Sequence, residues 1–283
     1  MTGKESITGK MEGLEEQLRN ADISNEYAGY FLKQVQTFRA QLNLAFAFPD
    51  VERILNALEL MIELHLDQAP RPDGTPYIEH PLDVASQVLE AMAQKDPDVV
   101  VAALLHDAVE DQPALLAQKA KRRPSGAEKT ASELALDAIE ELTQSARVRE
   151  MISGLTNPDF AALVKQKGIL KGTDDAEKAI YLAAKNALYA EHVREAIRDP
   201  DVAIIKLFDF AANSLKLDTL SDATIRTRLR DKYIPVVSIM LNRLRDTTRP
   251  LNITSQKEEE MLSRFSDVLL TYPGIEGEHV QNV

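Results

Sequence analysis

In the stretch VVVAALLHDAVED, residues 99–111, titratable groups interrupt an apolar run. His106 and Asp107 follow seven apolar residues, and Glu110 and Asp111 follow after only two more. Burying charged groups costs free energy unless a partner compensates them. The stretch therefore predicts a buried helix that carries a polar site together with whatever compensates its charge.

Most of the remaining sequence shows a helical period, with apolar residues recurring every three or four positions. Ser24 and Asp96 are suitable N-caps for two of these segments, and Pro81 suits the first position of a third. Alternation of apolar and polar residues, which is typical of half-buried strands, is absent. The chain is therefore predicted to be all-α, with polar loops over residues 68–76, 117–132 and 165–178.

Two of the periodic segments are each predicted to form one helix. One is predicted from Pro97 to Asp111, and another over residues 133–158. In the first of these helices, His106 and Glu110 are four residues apart, as are Asp107 and Asp111. Such pairs lie on adjacent stripes of one helix face, so all four side chains are expected to project from one side.

Composition excludes several classes of function. The 283 residues contain no cysteine, which removes disulfides, thiolate metal ligands and cysteine nucleophiles. The net charge of -12, with no long basic stripe, argues against nucleic acid as the main partner. A small anionic ligand remains compatible, because a metal ion or a few cations can reverse the field in one cleft. No apolar run is long enough to span a membrane and no signal peptide begins the chain, so a cytoplasmic location is expected.

A second polar intrusion lies in DVAIIKLFDFAANSLKL, residues 201–217. Lys206, Asp209 and Asn213 are spaced by three and four residues, which predicts one polar stripe on an otherwise buried helix. A third candidate is His80, which follows the loop at residues 68–76. Together His80, His106, Asp107 and Asp209 offer two imidazoles and two carboxylates, a donor set that suits Mn²⁺, Fe²⁺ or Zn²⁺.

Each candidate also has a structural interpretation. A His-Asp pair such as His106–Asp107, taken alone, more often lies on a helix surface or at an N-cap than in a metal site. His80 beside Pro81 is compatible with a simple turn residue. Asp209 is compatible with a buried ion pair in which Lys206 is the counter-ion. His65 lies on the apolar stripe of its helix and is predicted to be a hydrogen-bonded core histidine.

Three blocks in this order resemble the HD-domain superfamily, which is marked by a His, a His-Asp doublet and a distant Asp. The blocks are RPDGTPYIEHPLDVA, AALLHDAVED and IKLFDFAAN. The resemblance is closest to the (p)ppGpp hydrolase domain of the RelA/SpoT homologues, in the form of a stand-alone small alarmone hydrolase. It implies an all-α HD-domain helical bundle that hydrolyses the 3′-pyrophosphate of guanosine alarmones.

The resemblance also implies roles for individual residues. Those that match Mn²⁺ ligands are His80, His106, Asp107 and Asp209. Glu110 and Asp111 match the pair that orients and activates the attacking water. The predicted substrate-binding residues are Arg71, which matches an arginine that packs against guanine, Asn213, which matches an asparagine near the nucleotide, and Lys206.

The sequence departs from the family after Asp209, where an Asp-Arg-Leu-His-Asn motif is usual and Phe210, Ala211 and Ala212 stand instead. A basic residue that often follows the arginine of the first block is Pro72 here. These differences motivate an alternative substrate, such as the 2′-phosphate of NADPH. A second alternative is a non-catalytic helical module that senses a nucleotide and keeps the metal as a structural element.

Three regions are predicted along the chain. Residues 1–49 are expected to form an N-terminal helical extension that packs on the domain or contributes to a homodimer. Residues 50–250 are expected to form the HD-type hydrolase domain, and residues 251–283 a C-terminal helix and tail.

Overall fold

The computed structural model describes residues 12–19, 24–71, 73–120, 129–214 and 222–271. No β-strand occurs in these residues, and their regular elements are α-helices, so the all-α prediction is confirmed. Residues 121–128 of the predicted basic loop, Pro72 and the tail after Thr271 lie outside the described residues. The chain forms two compact units, Met1–Thr156 and Asn157–Val283. No described helix is long and apolar enough to cross a membrane.

The first unit is built around a short helix that is buried on every side. Its helices are α1 (residues 12–19), α2 (Asn25–Ala45), α3 (Phe48–His65), α4 (Glu79–Ala91), α5 (Pro97–Leu104), α6 (Ala108–Asp111), α7 (Pro113–Lys119), α8 (Ala131–Thr143) and α9 (Ala146–Leu155). Helix α5 packs against α3, α4 and α9. Its residues 99–104 are at most 1% exposed. A helix that is apolar all round has no solvent-facing side, so it occupies the centre of the unit.

Local capping explains where several of these helices begin. The Ser24 hydroxyl accepts a hydrogen bond from the Tyr27 amide at 3.1 Å. The Asp96 carboxylate accepts one from the Asp98 amide at 3.0 Å. Both predicted N-caps are therefore confirmed. Helix α4 begins at Glu79, two residues before Pro81, so Pro81 lies within its first turn.

The prediction of a single helix over residues 133–158 is wrong. Gln144 adopts the left-handed conformation, with φ 54°, and ends α8. The Ser145 hydroxyl then accepts a hydrogen bond from the Val148 amide at 3.2 Å and starts α9. Because Ser145 supplies a new cap, the chain changes direction within two residues and lets α9 pack on both α8 and α5.

A polar network at the N-terminus of α5 ties three helices together. Asp98 pairs with Arg53 of α3 and accepts a hydrogen bond from the Ser145 hydroxyl at 3.1 Å. Arg147 of α9 pairs with Asp96 at 2.8 Å and lies 3.7 Å from Asp98. Carboxylates at a helix N-terminus also interact favourably with the helix dipole. The network therefore fixes the start of the helix whose other end carries the candidate site.

The second unit contains α10 (Phe160–Gln166), α11 (Asp175–Ala196), α12 (Pro200–Ser214), α13 (Ala223–Leu244) and α14 (Ser255–Thr271). Helix α13 packs against α11, α12 and α14. Aromatic rings of Tyr189, Phe210 and Phe265 lie within 6.3 Å of a neighbouring aromatic ring in this unit. Helix α12 is buried along nearly its whole length.

Candidate metal centre

The predicted helix from Pro97 to Asp111 is interrupted, so the prediction of one continuous helix is wrong. Helix α5 ends at Leu104, and α6 begins at Ala108 after a turn closed by a hydrogen bond from the Ala108 amide to the Leu105 carbonyl at 3.0 Å. Because α5 is buried on every side, a straight continuation would bury four titratable groups at high cost. The turn instead leaves Glu110 and Asp111 exposed.

Three of the predicted ligands converge at this turn. His80 of α4, His106 and Asp107 each offer a donor atom, and these atoms all lie within 4.8 Å of one another. Asp107 Oδ2 is 3.3 Å from His106 Nε2 and 3.7 Å from His80 Nε2. Both imidazoles are buried, at 6% and 3% exposure, and their rings meet edge to face. The first unit therefore holds two nitrogen donors and one oxygen donor around a single point.

Hydrogen bonds with neighbouring groups orient these donors. His106 Nδ1 lies 2.9 Å from the carbonyl of Ala103, in the last turn of α5, where carbonyls have no helical donor. Since a carbonyl only accepts, Nδ1 carries the proton and Nε2 presents its lone pair on the side of Asp107. Metal-binding histidines commonly have their second nitrogen held in this way.

Tyr77 supplies a second orienting contact. Its hydroxyl donates to Asp107 Oδ2 at 2.7 Å. Burial, with the nearby Asp107 charge, raises the pKa of Tyr77, so the side chain remains a phenol that donates. Asp107 is therefore held by a neutral donor that leaves its negative charge in place.

The donor set fits a divalent transition metal ion. Two imidazole nitrogens and a carboxylate oxygen are typical ligands of zinc, iron and manganese sites. Their burial, their spacing and the fixed Nδ1–H of His106 favour coordination through Nε2.

The predicted water-activating residues lie beside this cluster on α6. Glu110 and Asp111 are both exposed, which leaves their carboxylates accessible to water and to a ligand. The amide of Asp111 donates to the Asp107 carbonyl at 2.9 Å, so the backbone couples the two positions. Asp111 Oδ2 also accepts a hydrogen bond from Gln68 Nε2 at 2.9 Å.

Three neighbours of the site carried no functional assignment from the sequence: His65, Gln68 and Tyr77. The prediction that His65 is a hydrogen-bonded core residue is confirmed, since it is fully buried and its Nδ1 lies 2.6 Å from Gln68 Oε1. Its ring also stacks on that of Tyr77 with centroids 5.1 Å apart. The only sequence signal for Tyr77 is its position three residues before His80, in the same block.

The loop before α4 holds Arg71 in a defined turn. The Arg71 amide donates to the Thr75 carbonyl at 2.9 Å, and the Gly74 amide donates to the Arg71 carbonyl at 2.8 Å. Gly74 has φ 85°, a conformation in which glycine avoids the strain of a side chain. Arg71 is half-buried there. Its contact with a guanine base stays a prediction.

In the second unit, the buried Lys206 and Asp209 and the half-buried Asn213 form one polar group on α12. Lys206 Nζ lies 3.0 Å from Asp209 Oδ2, and both side chains are less than 10% exposed. Asn213 Nδ2 donates to Asp209 Oδ1 at 2.8 Å and to the Asp209 carbonyl at 2.9 Å. This ion pair is the structural interpretation that the sequence also allowed for Lys206 and Asp209. Metal binding by Asp209 and substrate binding by Lys206 and Asn213 stay predictions.

The residues after Asp209 are part of the apolar core. Phe210 is 1% exposed, and its ring lies 5.6 Å from that of Tyr233 and 5.7 Å from that of Phe265. Ala211 and Ala212 are buried as well. The three positions at which the sequence departs from the usual motif are therefore filled by packing residues.

The second unit also carries a cationic groove of about 360 Å³. It is lined by Lys171, Lys178, Tyr181, Leu182, Lys185 and Arg228. The four lining residues of α11 are spaced by three, one and three positions and so share one helix face. Four cations around one groove, in a chain of net charge -12, create a local field that attracts anions.

Comparison with families of known proteins matches an HD domain to residues 57–233. This range covers more than half of the chain and contains every predicted site residue, from Arg71 to Asn213. The chain belongs to the HD domain family. HD-domain proteins of the kind that it resembles are metal-dependent phosphohydrolases, which agrees with the donor cluster at His80, His106 and Asp107.

Similar curated proteins include three called guanosine-3′,5′-bis(diphosphate) 3′-pyrophosphohydrolase MESH1. The protein of Danio rerio is 42% identical over 59 residues, which is 20% of this chain and 33% of that protein. The protein of Xenopus tropicalis is 44% identical over 63 residues, and that of Homo sapiens 40% identical over 63 residues. Each of these two matches covers 22% of this chain and 35% of the relative. The similarity is therefore confined to a minor part of each protein.

Proposed function

We propose that this HD-domain protein uses Mn²⁺ to hydrolyse the 3′-pyrophosphate of (p)ppGpp, releasing GDP or GTP and pyrophosphate. The observation that carries the proposal is the convergence of His80, His106 and Asp107 beside two exposed carboxylates. The similarity to the MESH1 pyrophosphohydrolases supports the choice of substrate.

Within this proposal, His80, His106 and Asp107 hold the metal ion. Asp209 is proposed as a further ligand from its place in the order of sequence motifs alone. When bound, a divalent cation lowers the pKa of water in its coordination sphere and offsets the charge of phosphate oxygens. Tyr77 and the Ala103 carbonyl keep Asp107 and His106 in the orientation that binding requires.

Glu110 and Asp111 are proposed to orient the attacking water and to accept its proton. Their exposure and their place beside the cluster suit that role, because a general base must lie within hydrogen-bond reach of the proton that it removes. Arg71 is proposed to stack on guanine, with Lys206 and Asn213 contacting the nucleotide.

The decisive experiment is turnover of ppGpp by the purified protein with Mn²⁺, with and without EDTA. Anion-exchange chromatography follows GDP and pyrophosphate, and metal analysis establishes that the protein is loaded. We expect both products to appear together and to disappear after chelation. Metal-loaded protein that releases neither product would contradict the proposed substrate.

A different nucleotide substrate is the second candidate, and the packing of Phe210 favours it. An apolar core residue at this position cannot supply the ligand contact expected of the arginine that is usual in the family. Removal of the 2′-phosphate of NADPH is the alternative reaction that we consider. A panel of nucleotides distinguishes the candidates, and Arg71→Ala should impair the true substrate far more than a generic phosphoester.

Glu110→Gln separates an enzyme from a non-catalytic nucleotide-sensing module. Because Glu110 is exposed, the variant should keep its fold, its metal content and its melting temperature. We expect turnover to fall by about 100-fold or more, the usual contribution of a general base. Turnover that survives this change would contradict the role of Glu110.

The cytoplasmic location and the homodimer stay predictions.

A further inference from the structure

The side chain of Gln68 connects a buried residue of α3 with a carboxylate of the candidate site. Its Nε2 donates to Asp111 Oδ2 at 2.9 Å, although the two residues are 43 positions apart. Its Oε1 lies 2.6 Å from His65 Nδ1 and also accepts from Gln112 Nε2 at 3.3 Å. Gln68 therefore has partners on both ends of its amide.

These partners determine which way the amide points. An ionised carboxylate only accepts hydrogen bonds, so the amino group of Gln68 must face Asp111. Its oxygen then faces His65, and His65 must donate through Nδ1. The reversed amide would place two acceptors 2.9 Å apart at Asp111. His65 is consequently held as the Nδ1–H tautomer, with Nε2 unprotonated while the ring is neutral.

His65 is a rigid anchor for this connection. It is fully buried on the apolar face of α3, and burial lowers its pKa, which keeps the ring neutral. One face of the ring stacks on Tyr77, with centroids 5.1 Å apart and planes 21° apart. Tyr77 in turn donates to Asp107 at 2.7 Å. The same histidine therefore supports Asp107 through a stacked ring and Asp111 through an amide.

We propose that Gln68, held by His65, is a positioning residue that fixes the carboxylate of Asp111 for the attacking water. The inference rests on the proposed function. Asp111 needs such support because it is exposed at the end of α6, a helix of only four residues with little stability of its own. Gln68 engages Oδ2 of Asp111, and the Tyr77 hydroxyl is a second hydrogen-bond partner of this carboxylate.

The kinetic test is Gln68→Ala, with Asp67→Ala as the matched control in the same turn. We expect Gln68→Ala to lower kcat for ppGpp by about tenfold or more, in the range found for groups that orient site residues. KM, Mn²⁺ content and melting temperature should stay near those of the parent protein. Asp67→Ala should change none of these quantities. A Gln68→Ala protein with the parent kcat would overturn the proposal.

Two further variants separate positioning from general damage. Gln68→Glu sets a second carboxylate against Asp111, which raises the pKa of the pair and should move the acidic limb of the kcat–pH profile to higher pH. An unmoved limb would count against the contact. His65→Asn keeps a donor near the position of Nδ1 and should retain more kcat than His65→Leu. Equal losses in these two variants, at matched melting temperatures, would remove His65 from the proposal.

The tautomer of His65 provides a readout that needs no substrate. Nitrogen-15 NMR distinguishes Nδ1–H from Nε2–H imidazoles, and the His65→Asn spectrum identifies the signal. We expect Nδ1–H in the parent protein and loss of that preference in Gln68→Ala. An Nε2–H tautomer in the parent protein would overturn the connection even if ppGpp is hydrolysed. If ppGpp is not hydrolysed but Nδ1–H is found, the substrate is wrong and the connection stands.

Discussion

Two buried polar clusters in this molecule compensate a carboxylate in different ways. In the first unit, Asp107 is flanked by two imidazole nitrogens and a phenol, side chains that carry no permanent charge. In the second unit, Asp209 has the ammonium group of Lys206 at 3.0 Å and the amide of Asn213 at 2.8 Å. The first arrangement suits the capture of a cation, whereas the second already contains one.

The difference shows that a titratable residue in an apolar helix is an ambiguous signal. In both clusters, polar side chains stand among apolar, buried residues. Both clusters also contain an aspartate that the sequence analysis assigned to a metal. The contacts distinguish them, because a buried carboxylate is stabilised either by a protein cation or by a bound ion. Four substitutions test this comparison.

The largest effect is expected from Asp107→Asn. Replacing the only charged donor of the cluster with a neutral amide should remove bound Mn²⁺ and lower turnover by more than about 100-fold, beyond the range for orienting groups. Metal analysis and ppGpp hydrolysis measure the two changes. Asp83→Asn, on the same helix as His80, is the control and should behave as the parent. Retention of metal and turnover by Asp107→Asn would show that this carboxylate is not a ligand.

Lys206→Met tests the second cluster. Leaving Asp209 buried beside an apolar side chain should lower the free energy of unfolding by about 3–5 kcal/mol, measured by urea denaturation in EDTA at neutral pH. If Asp209 also binds metal, Mn²⁺ should restore part of this loss. The double variant Lys206→Met/Asp209→Leu removes both charges and should be more stable than Lys206→Met alone. A double variant that is no more stable would show that charge compensation is not the main role of Lys206.

Tyr77→Phe should have a smaller effect, which is measured here through the affinity for the metal. The change removes the hydroxyl that holds Asp107 Oδ2 but keeps the ring that stacks on His65. We expect the affinity for Mn²⁺, measured by competition with a chelator, to fall about tenfold. The melting temperature of the metal-free protein should change little. An unaltered affinity would mean that Asp107 is oriented by other contacts.

The smallest effect is expected from Lys178→Ala in the cationic groove. Lys178 pairs with Asp175 at 3.1 Å, but their side chains are 46% and 101% exposed. Water and salt screen such a pair, so its loss should leave the free energy of unfolding unchanged within error. A clear loss of stability would mean that exposed ion pairs in this protein, and not only the buried pair of Lys206, contribute to the free energy of unfolding.

Features that depend on neighbours in sequence were predictable. Ser24 and Asp96 were recognised as caps because each bonds an amide two or three residues ahead. The all-α class followed from the helical period. The break after Leu104 was missed because it depends on the packing of the following segment rather than on a local breaker such as proline. The break at Gln144 was missed although Ser145 supplies a local cap for α9.

Local sequence patterns were enough to predict the helical class, the caps at Ser24 and Asp96 and the residues with the chemistry to bind a metal. Tertiary structure decided that His80 meets His106 and Asp107, that Asp209 pairs with Lys206, and that His65 supports the site through Gln68. This division follows from the sequence distance over which each interaction acts. Capping and periodicity act within a few residues, whereas convergence of donors, burial and the choice of tautomer depend on side chains brought together from distant segments.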